Sequence, residues 1–159
     1  MLSALVVSNQ IIYKAKQDGI TDLTPMKLQK LLYYVFGEYL AVSPDNQPLF
    51  SERFEAWKYG PVLPSVYQQF RNFGAENITR FYEEANGRVY VPSPKYYKKF
   101  YEVFDLVWKK YKNKSGIELS ELTHQQAPWR EALTNWEIDN DTIKKYFTEH
   151  GICKCLKQN

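Results

Sequence analysis

Cysteine is almost missing from these 159 residues: Cys153 and Cys155, one residue apart near the C-terminus, are the only two. Two such thiols cannot form a disulfide framework, and usage this thin fits a reducing compartment, so a cytoplasmic location is expected. Histidine is equally scarce, with His124 and His150 alone. A zinc site built from His150, Cys153 and Cys155, with His124 as a fourth ligand, would lack the paired CxxC-type spacing of structural zinc modules. Long apolar runs are missing too. The longest, Leu31 to Phe36, has six residues, against the ~20 that span a bilayer. The first residues lack the basic and apolar regions of a signal peptide. Neither a membrane partner nor a cofactor is expected. An excess of one charge is also missing, since 21 basic residues face 18 acidic ones. That excludes a polybasic binder and a bulk-charge mimic of nucleic acid. No P-loop, dinucleotide fingerprint, nucleophile elbow or HExxH is present. Catalysis is left with His124, beside Thr123, as its best candidate base, and the chain reads as a non-enzyme.

Aromatic residues are abundant. Thirteen Tyr, nine Phe and four Trp make 16% of the chain, enough for a thick aromatic core and a recognition surface as well. With 44% hydrophobic and 25% charged residues, the composition is that of a globular chain. One domain over residues 1–159 is expected, with a core over about 4–150 and a tail at 151–159.

The apolar spacing predicts mostly helix. A first helix runs from about Ala4 to Gln17, with Leu5, Ile12 and Ala15 inward, and stops at Asp18-Gly19. Thr24-Pro25 opens a second, as N-cap and first-turn proline. There Leu28, Leu31, Leu32, Val35 and Tyr39 give the strongest periodicity of the chain, wide enough for a central helix with more than one buried face. Arg53 to Tyr59 alternates like a short strand that Tyr59-Gly60-Pro61-Val62 breaks, and a helix follows to Phe73. Arg88-Val89-Tyr90-Val91 reads as another strand after the Asn86-Gly87 turn. Ser93-Pro94 begins what reads as the longest helix, ending near Lys114, with Phe100, Phe104, Val107, Trp108 and Tyr111 as its stripe. Ser115 and Glu118 form a capping box, Thr123 to Gln126 a break, and Ala127 to Leu133 a short helix. Asn140 or Asp141 caps the last helix. The fold class is mainly α (α+β), a compact helical bundle around a central helix with a small two- or three-stranded β element.

Charge segregates along the chain. Residues 95–114 hold seven Lys against Glu102 and Asp105, and residues 115–141 six acids against Arg130. The Lys-rich helix reads as an acidic-partner face or a solvated one, and Lys98–Glu102 and Asp105–Lys109 are spaced for pairing. No helix-turn-helix is visible and Arg, the commoner base reader, is sparse, which argues against nucleic acid. Two segments combine rigid backbone with large amphipathic side chains. They are Ala56 to Val62 with Pro64 and Tyr67, and Leu119 to His124 with Pro128-Trp129. Each reads equally as a packed turn or as a preorganised docking ridge.

These segments carry a family resemblance. Lys27-Leu28-Gln29-Lys30-Leu31-Leu32-Tyr33-Tyr34 resembles the signature helix of the Panacea, or SocA-like, antitoxin domain. Pro48-Leu49-Phe50, Phe54, Ala56-Trp57, Tyr59-Gly60-Pro61-Val62, Pro64 and Val66-Tyr67 resemble its second block, and Leu119-Ser120 through Thr123-His124 with Pro128-Trp129 its third. The resemblance covers about residues 4–150. It implies an α-leaning domain without catalysis. Its partner would be a protein toxin encoded by an adjacent gene, neutralised by direct binding. Alternatives are an adaptor delivering that toxin to an ATP-dependent protease and a nucleic-acid-binding phage regulator. The partner-binding candidates are the signature positions Trp57, Tyr59, Tyr67, His124 and Trp129, and Lys98 and Lys109 on the Lys-rich helix.

Overall fold

The structure is a computed structural model and describes residues 1–158. Its centre is helix α2, Pro25–Val42, preceded by α1, Ala4–Gln17. Thr24 caps α2 by accepting from the Lys27 N–H at 3.2 Å, with Pro25 in the first turn. Fifteen of the 18 residues of α2 are buried, because other elements pack around it: α1, α3 (Pro64–Phe70), α4 (Lys98–Tyr111), α5 (Gly116–His124), α7 (Asn140–His150) and the short strand Gly60–Val62. The short α6, Ala127–Arg130, packs on α5 and α7. The aromatic excess fills this core, with Tyr33, Phe36, Phe50, Phe54, Phe100, Phe104 and Phe147 all buried. The architecture is mainly α with a small β element, as the periodicity predicts.

The β element differs from the sequence expectation. Gly60–Val62 does not break the strand; it is the second strand. β1 (Glu55–Trp57) and β2 (Gly60–Val62) pair antiparallel across the two-residue loop Lys58-Tyr59, with Trp57 opposite Gly60 and Ala56 opposite Pro61. Gly60 takes φ +115°, open to glycine. Pro61 falls at the pair that exchanges no hydrogen bonds, so its missing N–H costs nothing there. On the far side of β1, Ala56 donates to Trp136 O at 2.9 Å, and Asn135 and Ile138 donate to Ala56 O and Phe54 O at 2.7 Å. Residues 135–138 therefore edge the hairpin like a partial third strand.

No strand forms at Arg88–Val91. The Asn86-Gly87 turn closes, with Glu84 N–H donating to Arg88 O at 2.9 Å. Beyond it the backbone turns to α1 instead: Asn9 Nδ2 donates to Tyr82 O and Tyr90 O, each at 3.0 Å, and Asn9 Oδ1 accepts from Tyr82 N–H at 2.8 Å. One buried asparagine supplies what a ladder would have. Ser93-Pro94 makes a turn, its Ser93 O accepting from the Tyr96 and Tyr97 N–H groups, so α4 starts only at Lys98. With 14 residues it is shorter than α2. Helix α5 continues through His124, α6 stops at Arg130 rather than Leu133, and Asp139 is the N-cap of α7. In α1 the inward set is Ala4, Val7, Ile11, Ile12 and Ala15, while Leu5 is half-buried.

The segment read as a tail does not trail away. Cys153 is wholly buried, and the Glu38 carboxylate on α2 accepts from Ile152 N–H at 2.8 Å and Cys153 N–H at 3.1 Å. Burial pushes the Glu38 carboxyl above its usual range while those two N–H groups pull against it.

Candidate functional site

Helices grip the hairpin from behind, and they grip its backbone. Trp129 Nε1 donates to Trp57 O at 2.7 Å, Ser120 Oγ to Tyr59 O at 2.5 Å, Lys30 Nζ to Pro61 O at 2.8 Å and Gln29 Nε2 to Leu63 O at 3.1 Å. The carbonyls of residues 57, 59, 61 and 63 are thus each held by a side chain from α2, α5 or α6. Gln29 closes a second bond, accepting from Leu63 N–H at 2.8 Å, as a neighbouring strand would. Gly60 fits because it has no side chain: a Cβ there would lie 2.6 Å from Thr123 Oγ1 and 2.8 Å from Lys30 Cε.

In front, the hairpin forms one wall of an aromatic cleft of about 450 Å³, lined by Met26, Gln29, Lys30, Trp57, Tyr59 and Tyr67 among others. Tyr59 is 55% exposed and Tyr67 40%. The Trp57 and Tyr67 rings meet edge to face at 5.0 Å, and Lys58 Nζ stands over the Tyr59 ring at 5.4 Å. Three of the sequence candidates, Trp57, Tyr59 and Tyr67, therefore meet at one cleft. His124 and Trp129 stand behind it, half-buried, their rings 4.1 Å apart. Thr123 Oγ1 donates to Ser120 O at 2.7 Å, so the hydroxyl beside His124 is spent on the helix backbone. Replacing Trp129 by Phe keeps the ring and removes the N–H. About 1–2 kcal/mol of stability should go with it, measured by urea unfolding; no loss would mean that the Trp57 carbonyl finds another donor.

Lys98 and Lys109 stand apart, both exposed on α4. Their expected partners are taken or free: Glu102 pairs with Lys99 at 3.2 Å, and neither Lys98–Glu102 nor Asp105–Lys109 forms among the described residues.

Sequence reasoning missed Lys30, Gln29 and Met26 in the cleft, and Leu133 and Trp136, 69% and 67% exposed, which flank the cleft residue Asn135 in the chain. A signal for the first pair exists. A helix buried all round has no solvent side for Gln29 or Lys30, so their polar ends need work inside. Trp136 lies in a stretch with no period, which gives no such signal. Lys30 is 1% exposed, and burial lowers its pKa from the ordinary 10.5 to about 7. Below about 7 the folded state bears the full cost of this charge. The cost fades as pH rises towards 10.5, so Lys30 makes stability increase across that window.

The sequence model described as Antitoxin SocA-like, Panacea domain matches residues 28–130. The chain belongs to this Panacea family. Over 77 residues, 48% of the chain, it is 39% identical to Antitoxin SocA of Caulobacter vibrioides (strain NA1000 / CB15N). That stretch spans about two fifths of the relative's length. No solved structure matches the chain. The Panacea match begins at Leu28 within α2 and ends at Arg130, so it contains the hairpin and all four residues that grip it. Among the described residues no His, Cys, Asp and Glu cluster is placed to hold a metal ion, and no helix is long and apolar enough to cross a membrane.

Proposed function

We propose that this Panacea protein is an antitoxin that neutralises a protein toxin by direct contact, without catalysis, and that the hairpin cleft is its docking face. The observation that carries the reading is a ridge of exposed aromatics on a backbone fixed from behind. Trp and Tyr dominate binding hot spots, and a preordered ridge loses little entropy on association. Occlusion of the toxin is sufficient as a mechanism. Family membership supports the antitoxin role, and the Caulobacter relative is itself named an antitoxin.

The test is growth upon expression of the adjacent reading frame, with and without this chain. The neighbour alone should arrest growth, and co-expression should restore it. Tyr59→Ala should leave stability within ~0.5 kcal/mol, as an exposed substitution does. It should weaken the complex roughly 30-fold, the effect of a hot-spot truncation. A Tyr59→Ala protein that binds and neutralises normally would move the interface elsewhere, and charge reversal at Lys98 and Lys109 would then ask whether α4 carries it.

A further inference from the structure

Helix α2 buries two lysines one turn apart, and the fold treats them differently. Lys27 Nζ, its side chain wholly buried, meets Asp22 Oδ1 at 2.7 Å and Lys112 O at 2.6 Å. Lys30 Nζ, equally deep, has Pro61 O alone, and among the described residues no carboxylate pairs with it. An ammonium has three donors, so two are left over on a residue that lines the cleft. A lone buried charge is costly, and an apolar side chain of the same length would fill the space without that cost. Local conflicts of this kind collect at functional sites. Gly60 adds to the point: a Cβ there would stand 3.2 Å from Lys30 Nζ, and the hairpin instead passes the amine with no side chain in the way.

We propose that Lys30 is the anchor of a carboxylate site, pairing with an aspartate or glutamate side chain that the bound partner protein inserts between Trp57, Tyr59 and Tyr67. This rests on the antitoxin reading and names the chemistry of the toxin's contact. Charge complementarity selects the occupant. The cleft offers one buried cation, with Lys58 at the rim, inside aromatic walls. A phosphate carries more charge and seeks several donors or a guanidinium, whereas the Gln29 amide is turned to Leu63 through both its nitrogen and its oxygen. A single carboxylate next to an apolar residue fits. Steering by Lys58 would speed its arrival. Burial lowers the pKa of this amine in the free protein, and an arriving carboxylate would draw a proton onto it.

Lys30→Met is the decisive variant. The relief of an unpaired buried charge offsets the lost bond to Pro61 O, so the variant should melt close to wild type, yet bind the toxin at least tenfold more weakly by calorimetry. Wild-type affinity in Lys30→Met would overturn the proposal. A second measurement needs neither the toxin nor a variant that folds. The wild-type protein, with isotope-labelled lysine side chains, is titrated by NMR with acetyl-Leu-Glu-amide, acetyl-Leu-Gln-amide and inorganic phosphate. The expected result is that the Glu peptide alone raises the Lys30 titration midpoint and shifts the Trp57 indole signal. Equal response to both peptides, no response, or a response to phosphate alone would overturn it. If the neighbouring frame encodes no toxin, the antitoxin reading fails by itself, and this titration still decides the carboxylate site.

Discussion

Gly37→Ala should remove about 3 kcal/mol of stability, even though alanine is the better helix former by ~1 kcal/mol. Gly37 lies inside α2, and a Cβ built there overlaps the Phe147 ring of α7, with Phe147 Cζ only 2.8 Å away. The ring has nowhere to go. It is 2% exposed and is bounded by Tyr33, Tyr34 and Tyr146 at centroid distances of 5.4, 6.0 and 5.2 Å. Denaturant unfolding measures the loss. Adding Phe147→Leu should return part of it, because the pair shares one volume and their effects are not additive. A Gly37→Ala protein as stable as wild type would show that the spacing of α2 and α7 adjusts freely, contrary to close packing.

The second large effect is chemical. One thiol per chain should react promptly with an aromatic disulfide reagent, and the other about a thousandfold more slowly. Cys155 is exposed. Cys153 is wholly buried, and burial first, then the Glu38 charge, pushes its thiol from the ordinary 9.0 to about 12. Only the thiolate attacks, so three pH units remove about a thousandfold of the reactive form, before any steric protection. Glu38→Ala takes away the acceptor of the Ile152 and Cys153 N–H groups. It should bring the slow thiol to within about tenfold of the fast one as the segment opens locally. Two equally fast thiols in the wild-type protein would mean that residues 152–156 do not hold to α2.

These two sites also mark where reading the sequence succeeds and where it stops. Leu28, Leu31, Leu32 and Val35 reveal a helix buried on several sides, because one side chain every three or four residues is a local pattern. The same helix hides why Lys27, Gln29, Lys30, Gly37 and Glu38 are there. Each answers a group distant in the chain: Lys112, Leu63, Pro61, Phe147 and Cys153. No spacing rule contains those pairings. Pro61 reads as a breaker and is a strand residue, since only the register tells which N–H groups a hairpin needs. Arg88–Val91 has strand composition, but Asn9 takes the backbone groups that a partner strand would have used. At the cleft, Trp57, Tyr59 and Tyr67 are legible as amphipathic aromatics near a rigid turn. The lysine that lines it from α2 is not, because a lysine within an apolar stripe reads as solvent-facing until the neighbours of the helix are known.

The grip on the hairpin has a consequence for how this protein can change. Trp129, Ser120, Lys30 and Gln29 hold carbonyl oxygens, and every residue type has one. The clasp therefore does not register which side chains the hairpin carries outward. Lys58, Tyr59 and the front of Trp57 can be rewritten while the frame stays shut, much as a label is swapped in a fixed holder. On the docking reading proposed above, new partners become reachable by substitutions at the hairpin tip, with the scaffold that holds it left unchanged.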